Sequence, residues 1–379
     1  MDETYTKRLE IEIWNMAKEL DENEDFSKVI DFLNSEEGFQ PFGKRLAAFI
    51  AKTLHLNATD FKTIKDALEK QCETTGVDIS EIASYGTLRN WFDKGTSRKK
   101  GDDTRQHMFA LAFVLRLSVD DTKKLFHKIF LDRAFNYRNE KEVIYYFCLK
   151  NNKSWADAKR MIAEVENMAI ETSDHTQLTN VIVQNVDVMS DEKMLLAYIR
   201  ENGHNFEKNS VMAQRTLNKY LSEAKPFAKE EIEKAKEYDP KYYQGKWKNL
   251  STNALYEITI GASITGSKGT KTVFNNSILP KEIKKRFPEA ATFGKKNLTA
   301  EEYRKAIIML FSYWFWYQAQ SSDKNFEFDD YFDALNGILN DCNFSQIYYG
   351  NPYDWMFSFC ALSERSLDTF RGLLAEVLD

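Results

Sequence analysis

The sequence contains few residues that interrupt helices. Only 6 of its 379 residues are Pro and 15 are Gly. Pro removes a backbone donor and Gly weakens regular structure, so proteins made of many short strands and tight turns use more of both. Hydrophobic residues make up 43% of the chain, which is ample for a packed core. The composition therefore predicts a mainly all-α protein, of two or three domains at roughly 100–200 residues each.

Cysteines are scarce and far apart. The chain has four of them: Cys72, Cys148, Cys342 and Cys360. None belongs to a C-x-x-C pair, and structural zinc needs ligands that are close in sequence. Their neighbours are apolar, as in the run Tyr-Phe-Cys-Leu at 146–149. The pattern predicts buried free thiols in a reducing cytoplasm, and no metal.

Signatures of catalysis are missing as well. The five histidines do not form H-E-x-x-H, and no G-x-S-x-G, P-loop or G-x-G-x-x-G occurs. Residues 266–271 contain Gly and Lys but lack the P-loop spacing. We therefore expect no enzyme and no cofactor, although an active site built from residues distant in sequence stays open.

Long apolar runs are absent too. The most hydrophobic window, 306–317, has 12 residues and is too short to cross a bilayer. The first residues are acidic and lack an apolar stretch, so we expect no signal peptide and a cytoplasmic protein without membrane contact.

Positive charge is concentrated in one segment of an acidic chain. The net charge is −6, from 52 basic and 58 acidic residues. Residues 86–105 include six basic and three acidic residues, which gives this segment a net charge of +3. The six are Arg89, Lys94, Arg98, Lys99, Lys100 and Arg105. A nucleic-acid binder of this overall charge needs such a cluster, and the alternative is a solvated face.

Residues 87–93 predict a short helix with two distinct faces. Leu88 and Trp91 are three residues apart, so they share the inner face. Thr87, Arg89 and Asn90 then face outward, where Arg can read guanine and Asn adenine. The cations that follow are placed to lie along phosphates: Lys94, Arg98, Lys99 and Lys100. The segment predicts double-stranded DNA as a partner, and the alternative is a structural helix followed by a solvated loop.

These residues also carry a family resemblance. The run Thr-Leu-Arg-Asn-Trp-x-x-x-Gly at 87–95 resembles the third helix and following turn of phage-repressor-like (XRE-type) helix-turn-helix regulators, and 109–119 is similar to their fourth helix. The match covers about 50 residues. It implies a helix-turn-helix module that binds DNA. Residues 138–146 and 350–355 resemble segments of uncharacterised proteins of Firmicutes and their mobile elements, which implies a bacterial origin and no particular activity.

The helical pattern predicts two halves. Residues 1–170 are expected to form a helical domain with the helix-turn-helix-like segment, 171–190 a linker or seam, and 191–379 an aromatic-rich helical domain. Residues 256–274 allow one small β-ribbon, although a helix end and loop fits better. Capping boxes predict three helix starts, at Ser118 with Asp121, Ser154 with Asp157, and Thr299 with Glu302.

The C-terminal half offers a second set of features. The helix predicted at 300–319 is apolar on nearly every side, so it is expected in a core or at an interface, including self-association. In 350–355, Asp354 is predicted to cap a helix starting near Trp355, with a ligand or partner groove as the alternative. Two functions remain: a non-enzymatic DNA-binding regulator of a bacterial chromosome or mobile element, or a protein-interaction component of a phage-defence or mobile-element system.

Overall fold

A computed structural model describes residues 3–23, 25–35, 39–92, 102–168, 177, 179–206, 211–238, 250–261, 287–295, 298–321 and 328–375. The α-helices within these ranges are α1 (Glu3–Asn23), α2 (Ser27–Asn34), α3 (Phe42–Thr53), α4 (Phe61–Thr75), α5 (Tyr85–Phe92), α6 (Asp102–Val114), α7 (Val119–Lys124), α8 (Glu140–Lys150), α9 (Trp155–Glu166), α10 (Thr179–Asp187), α11 (Glu192–Glu201), α12 (Val211–Tyr238), α13 (Thr252–Thr259), α14 (Ala300–Ser321), α15 (Phe328–Asp341), α16 (Pro352–Leu362) and α17 (Ser366–Ala375). A π-helical segment, Leu125–Phe130, continues α7.

No strand occurs in these ranges, so the prediction of a mainly all-α fold is confirmed. The β-ribbon considered for 256–274 is wrong for 256–261. Those residues complete α13 and turn at Gly261, whose φ of 65° closes the helix end. Residues 262–274 lie outside the described part of the chain.

The chain divides into two compact units whose boundaries differ from those predicted. Gln40–Lys208 forms the first unit, and Asp2–Phe39 with Asn209–Asp379 forms the second. The N-terminal helix α1 packs against α16 near the other end of the chain. The predicted seam at 171–190 includes α10, whose Ile182 and Val186 belong to the core of the first unit. Local periodicity does not reveal such long-range packing.

The first unit has an aromatic core between α6, α8 and α9. The Phe109 ring lies 4.6 Å from that of Phe126 and 4.8 Å from that of Tyr145. The Tyr145 ring in turn stacks on Trp155 at 5.2 Å. Trp155 is the first residue of α9, which Ser154 and Asp157 start as the predicted capping box. The predicted box of Thr299 and Glu302 is confirmed by its two reciprocal hydrogen bonds. Ser118 caps its helix as predicted by accepting from the Asp121 backbone, but the Asp121 carboxylate accepts from the Ser118 hydroxyl, so only half of that box is formed.

The second unit is built around α14. Phe311 and Trp316 on this helix are 1% and 2% exposed, so the prediction of a buried helix is confirmed for them. The prediction for Asp354 is wrong. The Asn351 side chain caps α16 by accepting from the Tyr353 backbone, and Pro352 is the first helical residue. Asp354 instead receives two hydrogen bonds of 2.7 Å from Arg304 on α14.

All four cysteines are buried, as predicted. Burial raises the pKa of the Cys72 thiol to about 11 and that of the Cys148 thiol to about 12, because the thiolate loses its hydration. The pKa values of Cys342 and Cys360 are raised for the same reason. Such thiols are poor nucleophiles near neutral pH.

Candidate nucleic-acid interface

Helix α5 is held in place by its inner face. Leu88 is 2% exposed and Trp91 is 4% exposed, as their spacing predicts. The Trp91 ring meets the Phe42 ring of α3 edge to face, with 5.6 Å between the ring centroids. At Gly43 of α3, an added Cβ would lie 1.6 Å from the Trp91 carbonyl oxygen. Only glycine fits there, so the backbones of α3 and α5 are in direct contact and α5 has a fixed position.

The start of α5 is capped by Ser84. Its Oγ accepts a hydrogen bond from the Thr87 backbone at 3.3 Å and lies 2.9 Å from the Thr87 hydroxyl. The Ser84 carbonyl accepts from the Leu88 backbone at 3.0 Å. Thr87 was predicted to face outward, but it is half-buried, and its hydroxyl takes part in the cap. Its first role is therefore to fix the helix start.

The outer face of α5 is polar and accessible. Arg89 and Asn90 are exposed, on the side of the helix away from Leu88 and Trp91. Tyr85 precedes them by about one turn and is 58% exposed. The Tyr85 ring packs edge to face against the Phe61 ring of α4, with 5.7 Å between the ring centroids. The helix thus presents an arginine, an amide and an aromatic ring on its exposed side.

The connection between α4 and α5 is longer than in a helix-turn-helix motif. Nine residues, 76–84, replace the usual three or four. They include a short 3₁₀ turn, Ile79–Glu81, that the rest of the first unit holds in place. The Glu81 carboxylate accepts from Trp155 Nε1 at 2.5 Å and from Lys159 Nζ at 2.9 Å. The His107 Nδ1 atom lies 2.5 Å from the Glu81 carbonyl oxygen and donates to it. These hydrogen bonds of Glu81 help to position α5, as the short turn does in a helix-turn-helix motif.

The predicted basic cluster does not extend to Arg105. This residue is buried, with its Nε and Nη2 atoms each 2.7 Å from the Glu142 carboxylate and its Nη1 atom 2.9 Å from Asp132. Its charge is compensated inside the protein and is not available to phosphates. The predicted phosphate contacts, Lys94, Arg98, Lys99 and Lys100, lie outside the described residues. Of the seven predicted site residues, the structure therefore places Thr87, Arg89 and Asn90.

Among the described residues, no group of three or more His, Cys, Asp or Glu side chains is arranged to hold a metal ion. None of the described helices is both long enough and apolar enough to cross a membrane.

Comparisons with known proteins give no match: no family model, no curated protein and no solved structure resembles the chain significantly.

Proposed function

We propose that the chain is a non-enzymatic DNA-binding regulator that reads duplex DNA with the outer face of α5. The observation that carries the proposal is that this helix has two faces. Leu88 and Trp91 are buried on one face, and Arg89 and Asn90 are exposed on the other. An α-helix fits the major groove of B-form DNA, and residues near its N-terminus reach base edges. A regulator of a bacterial chromosome or mobile element would use such a helix.

The two outward side chains match the hydrogen-bonding groups of specific bases. The guanidinium of Arg89 can donate two hydrogen bonds to guanine O6 and N7, and the amide of Asn90 can pair with adenine N6 and N7. The backbone contacts of α3 and the ties on Glu81 restrict the movement of α5. A helix that is already formed and positioned loses little conformational entropy on binding, which favours affinity. Lys94 and Arg98–Lys100 follow α5 in sequence and would add phosphate contacts.

Replacing Arg89 by Ala is expected to weaken binding to the preferred duplex by about 1–3 kcal/mol and to change binding to random duplex little. The preferred duplex is first selected from a random pool with the full-length chain. Fluorescence anisotropy then gives the dissociation constants, at several salt concentrations because phosphate contacts make affinity salt-dependent. The matched control is Arg215→Ala, since Arg215 is an exposed arginine within α12.

A second variant distinguishes a role of α5 in base recognition from a role in stability. Leu88→Ala is expected to lower the free energy of unfolding by about 2–5 kcal/mol, because Leu88 is core, whereas Arg89→Ala should leave stability unchanged. If Arg89→Ala and Asn90→Ala both lower stability and neither alters binding, α5 is a structural helix and the DNA-binding proposal fails.

A second candidate function is protein interaction without DNA binding. It is favoured by two exposed apolar residues on α1 in the second unit: Ile11, 60% exposed, and Trp14, 50% exposed. They are three residues apart and so share one side of the helix. The Trp14 ring also meets the Phe328 ring edge to face at 5.4 Å, which gives it a defined orientation. Such a surface is suited to self-association through the second unit.

Replacing Trp14 by Ser is expected to weaken self-association by about 2 kcal/mol or more, roughly 30-fold in the dissociation constant, as for a typical aromatic anchor. Sedimentation velocity of the full chain over a range of concentrations measures this. Met194→Ser is the control, because Met194 is a similarly exposed apolar residue (58%) of the first unit. A wild-type chain that stays monomeric at every concentration contradicts the candidate.

A further inference from the structure

The two ends of α5 are attached to the first unit in different ways. Its C-terminal end is fixed by backbone packing, because the Trp91 carbonyl lies directly against Gly43 of α3. Its N-terminal end follows a nine-residue connection, in which Glu81 lies four residues before the helix begins. The hydrogen bonds of Glu81 therefore matter most for the end of α5 that follows them.

Glu81 joins this connection to two helices that are distant in sequence. Its carboxylate accepts from Trp155 Nε1 at 2.5 Å and from Lys159 Nζ at 2.9 Å, both on α9. Its carbonyl oxygen lies 2.5 Å from His107 Nδ1 on α6. The start of α5 is thus held by residues that are 26 to 78 positions away from Glu81.

The main partner of the carboxylate is itself fixed. Trp155 is buried, and its ring stacks on the Tyr145 ring at 5.2 Å and packs against the Phe113 ring at 5.3 Å. The indole N–H therefore has a set position in the core of the first unit. A hydrogen bond to such a donor places its acceptor with little freedom.

The Glu81 carboxylate does not need these partners in order to be charged. Its side chain is 27% exposed and that of Lys159 is 51% exposed, so water reaches both groups. Exposed ion pairs of this kind contribute little to stability. What the two hydrogen bonds determine is where the connection, and the helix start that follows it, lies against α9.

We infer that Glu81, held by Trp155 and Lys159, is a positioning residue for DNA recognition. The inference rests on the proposed DNA binding and adds residues outside α5 that control its sequence preference. Hydrogen bonds from Arg89 and Asn90 to base edges are short and directional, so they tolerate only a small displacement of the helix. Contacts between cations and phosphates act over longer distances and are less sensitive to it.

Replacing Glu81 by Ala is expected to weaken binding to the preferred duplex by about tenfold and binding to random duplex by about twofold or less, because the freed helix must be ordered again for base contacts. Glu81→Gln should recover most of the affinity, since its amide oxygen can still accept from Trp155 Nε1. Lys159→Met should cause a smaller loss, on the preferred duplex alone. Fluorescence anisotropy with the full-length chain measures each dissociation constant.

The matched control is Glu164→Ala. Glu164 also lies in the first unit, and its carboxylate pairs with Arg160 on the exposed surface of α9. This variant removes a carboxylate from an ion pair of similar exposure without touching the connection before α5. It should bind both duplexes like the wild-type chain.

A combined variant shows whether Glu81 acts through the base contacts. In a chain that already carries Arg89→Ala and Asn90→Ala, adding Glu81→Ala is expected to change the affinity little, because the contacts that Glu81 positions are gone. A general loss of folded protein would weaken binding in both backgrounds alike. An equal loss in both backgrounds therefore overturns the inference.

Circular dichroism establishes that each variant is folded at the assay temperature. If Glu81→Ala is not, Trp155→Phe takes its place, because it keeps an aromatic ring against Tyr145 and removes only the Nε1 donor to Glu81. The same selective loss on the preferred duplex is expected. Trp155→Phe with wild-type binding to both duplexes would contradict the inference.

Failure of the inference is distinct from failure of the proposed function. If the wild-type chain binds no duplex, both fail. If Arg89→Ala lowers the sequence preference while Glu81→Ala binds like wild type, DNA recognition stands and the positioning by Glu81 is overturned. If Lys159→Met weakens binding to both duplexes equally, Lys159 contacts phosphate and does not act through Glu81.

Discussion

Replacing Glu142 by Ala is expected to lower the free energy of unfolding of the first unit by about 3–5 kcal/mol, the usual effect of removing one partner of a buried ion pair. Glu142 on α8 is the main partner of Arg105 on α6, through two hydrogen bonds of 2.7 Å. Both side chains are about one-tenth exposed. Without Glu142, a buried guanidinium would keep only part of the charge compensation that it has.

The network around Arg105 is complete, which makes the expected loss large. Its Nη1 donates to Asp132 and to the Arg133 carbonyl, and its Nη2 donates to the Ala134 carbonyl and Glu142. With Nε, all five guanidinium N–H groups have acceptors. Burial alone would lower the pKa of Arg105, but the carboxylates of Glu142 and Asp132 raise it by more. The net pKa lies above the ordinary value, so the residue stays charged. Arg105→Lys is also expected to destabilise, because an ammonium cannot form this fork.

Urea unfolding followed by circular dichroism measures the change. Amide hydrogen exchange then shows whether the loss is confined to residues 40–208. Lys124→Ala is the control, since Lys124 forms an exposed pair with Asp121 and such pairs contribute little. A Glu142→Ala variant within 1 kcal/mol or so of wild type would mean that water compensates Arg105, and that the network is not a major source of stability.

Features encoded by neighbouring residues could be predicted from the sequence. The helix caps at Ser118, Ser154 and Thr299 depend on residues three positions apart, and all three caps are present, those at Ser154 and Thr299 as complete capping boxes. The burial of Leu88 and Trp91 follows from helical spacing in the same way. These interactions form within one turn of helix, so the local sequence determines them.

Features that depend on distant partners could not be predicted. Arg105 was counted in the charge balance of residues 86–105 from its place in the sequence, yet its partners Asp132 and Glu142 are 27 and 37 residues away. Asp354 looked like a helix cap, but Arg304, 50 residues earlier, binds it. The position of α5 depends partly on Glu81, which Trp155 binds across 74 residues. Only packing of the whole unit brings such pairs together.

Trp316→Ala is expected to lower the free energy of unfolding of the second unit by about 3–5 kcal/mol, as for other buried aromatic residues replaced by alanine. The Trp316 side chain is 2% exposed and stacks on Tyr331 at 5.7 Å and on Phe357 at 6.0 Å. It also contacts Phe370 of α17 at 5.8 Å. One side chain therefore joins α14 to α15, α16 and α17, and its removal leaves a cavity at their meeting point.

A second tryptophan on the same helix gives the comparison that decides the role of Trp316. Trp314 is half-buried and contacts Tyr220 at 5.5 Å and Phe311 at 5.8 Å. Trp314→Ala should cost less, because part of its surface already faces solvent and less apolar area is lost. Urea unfolding with hydrogen exchange of α14–α17 measures both variants. A Trp316→Ala variant as stable as Trp314→Ala or more so would mean that the core around α14 repacks around the lost ring, and α14 would not be the central helix of this unit.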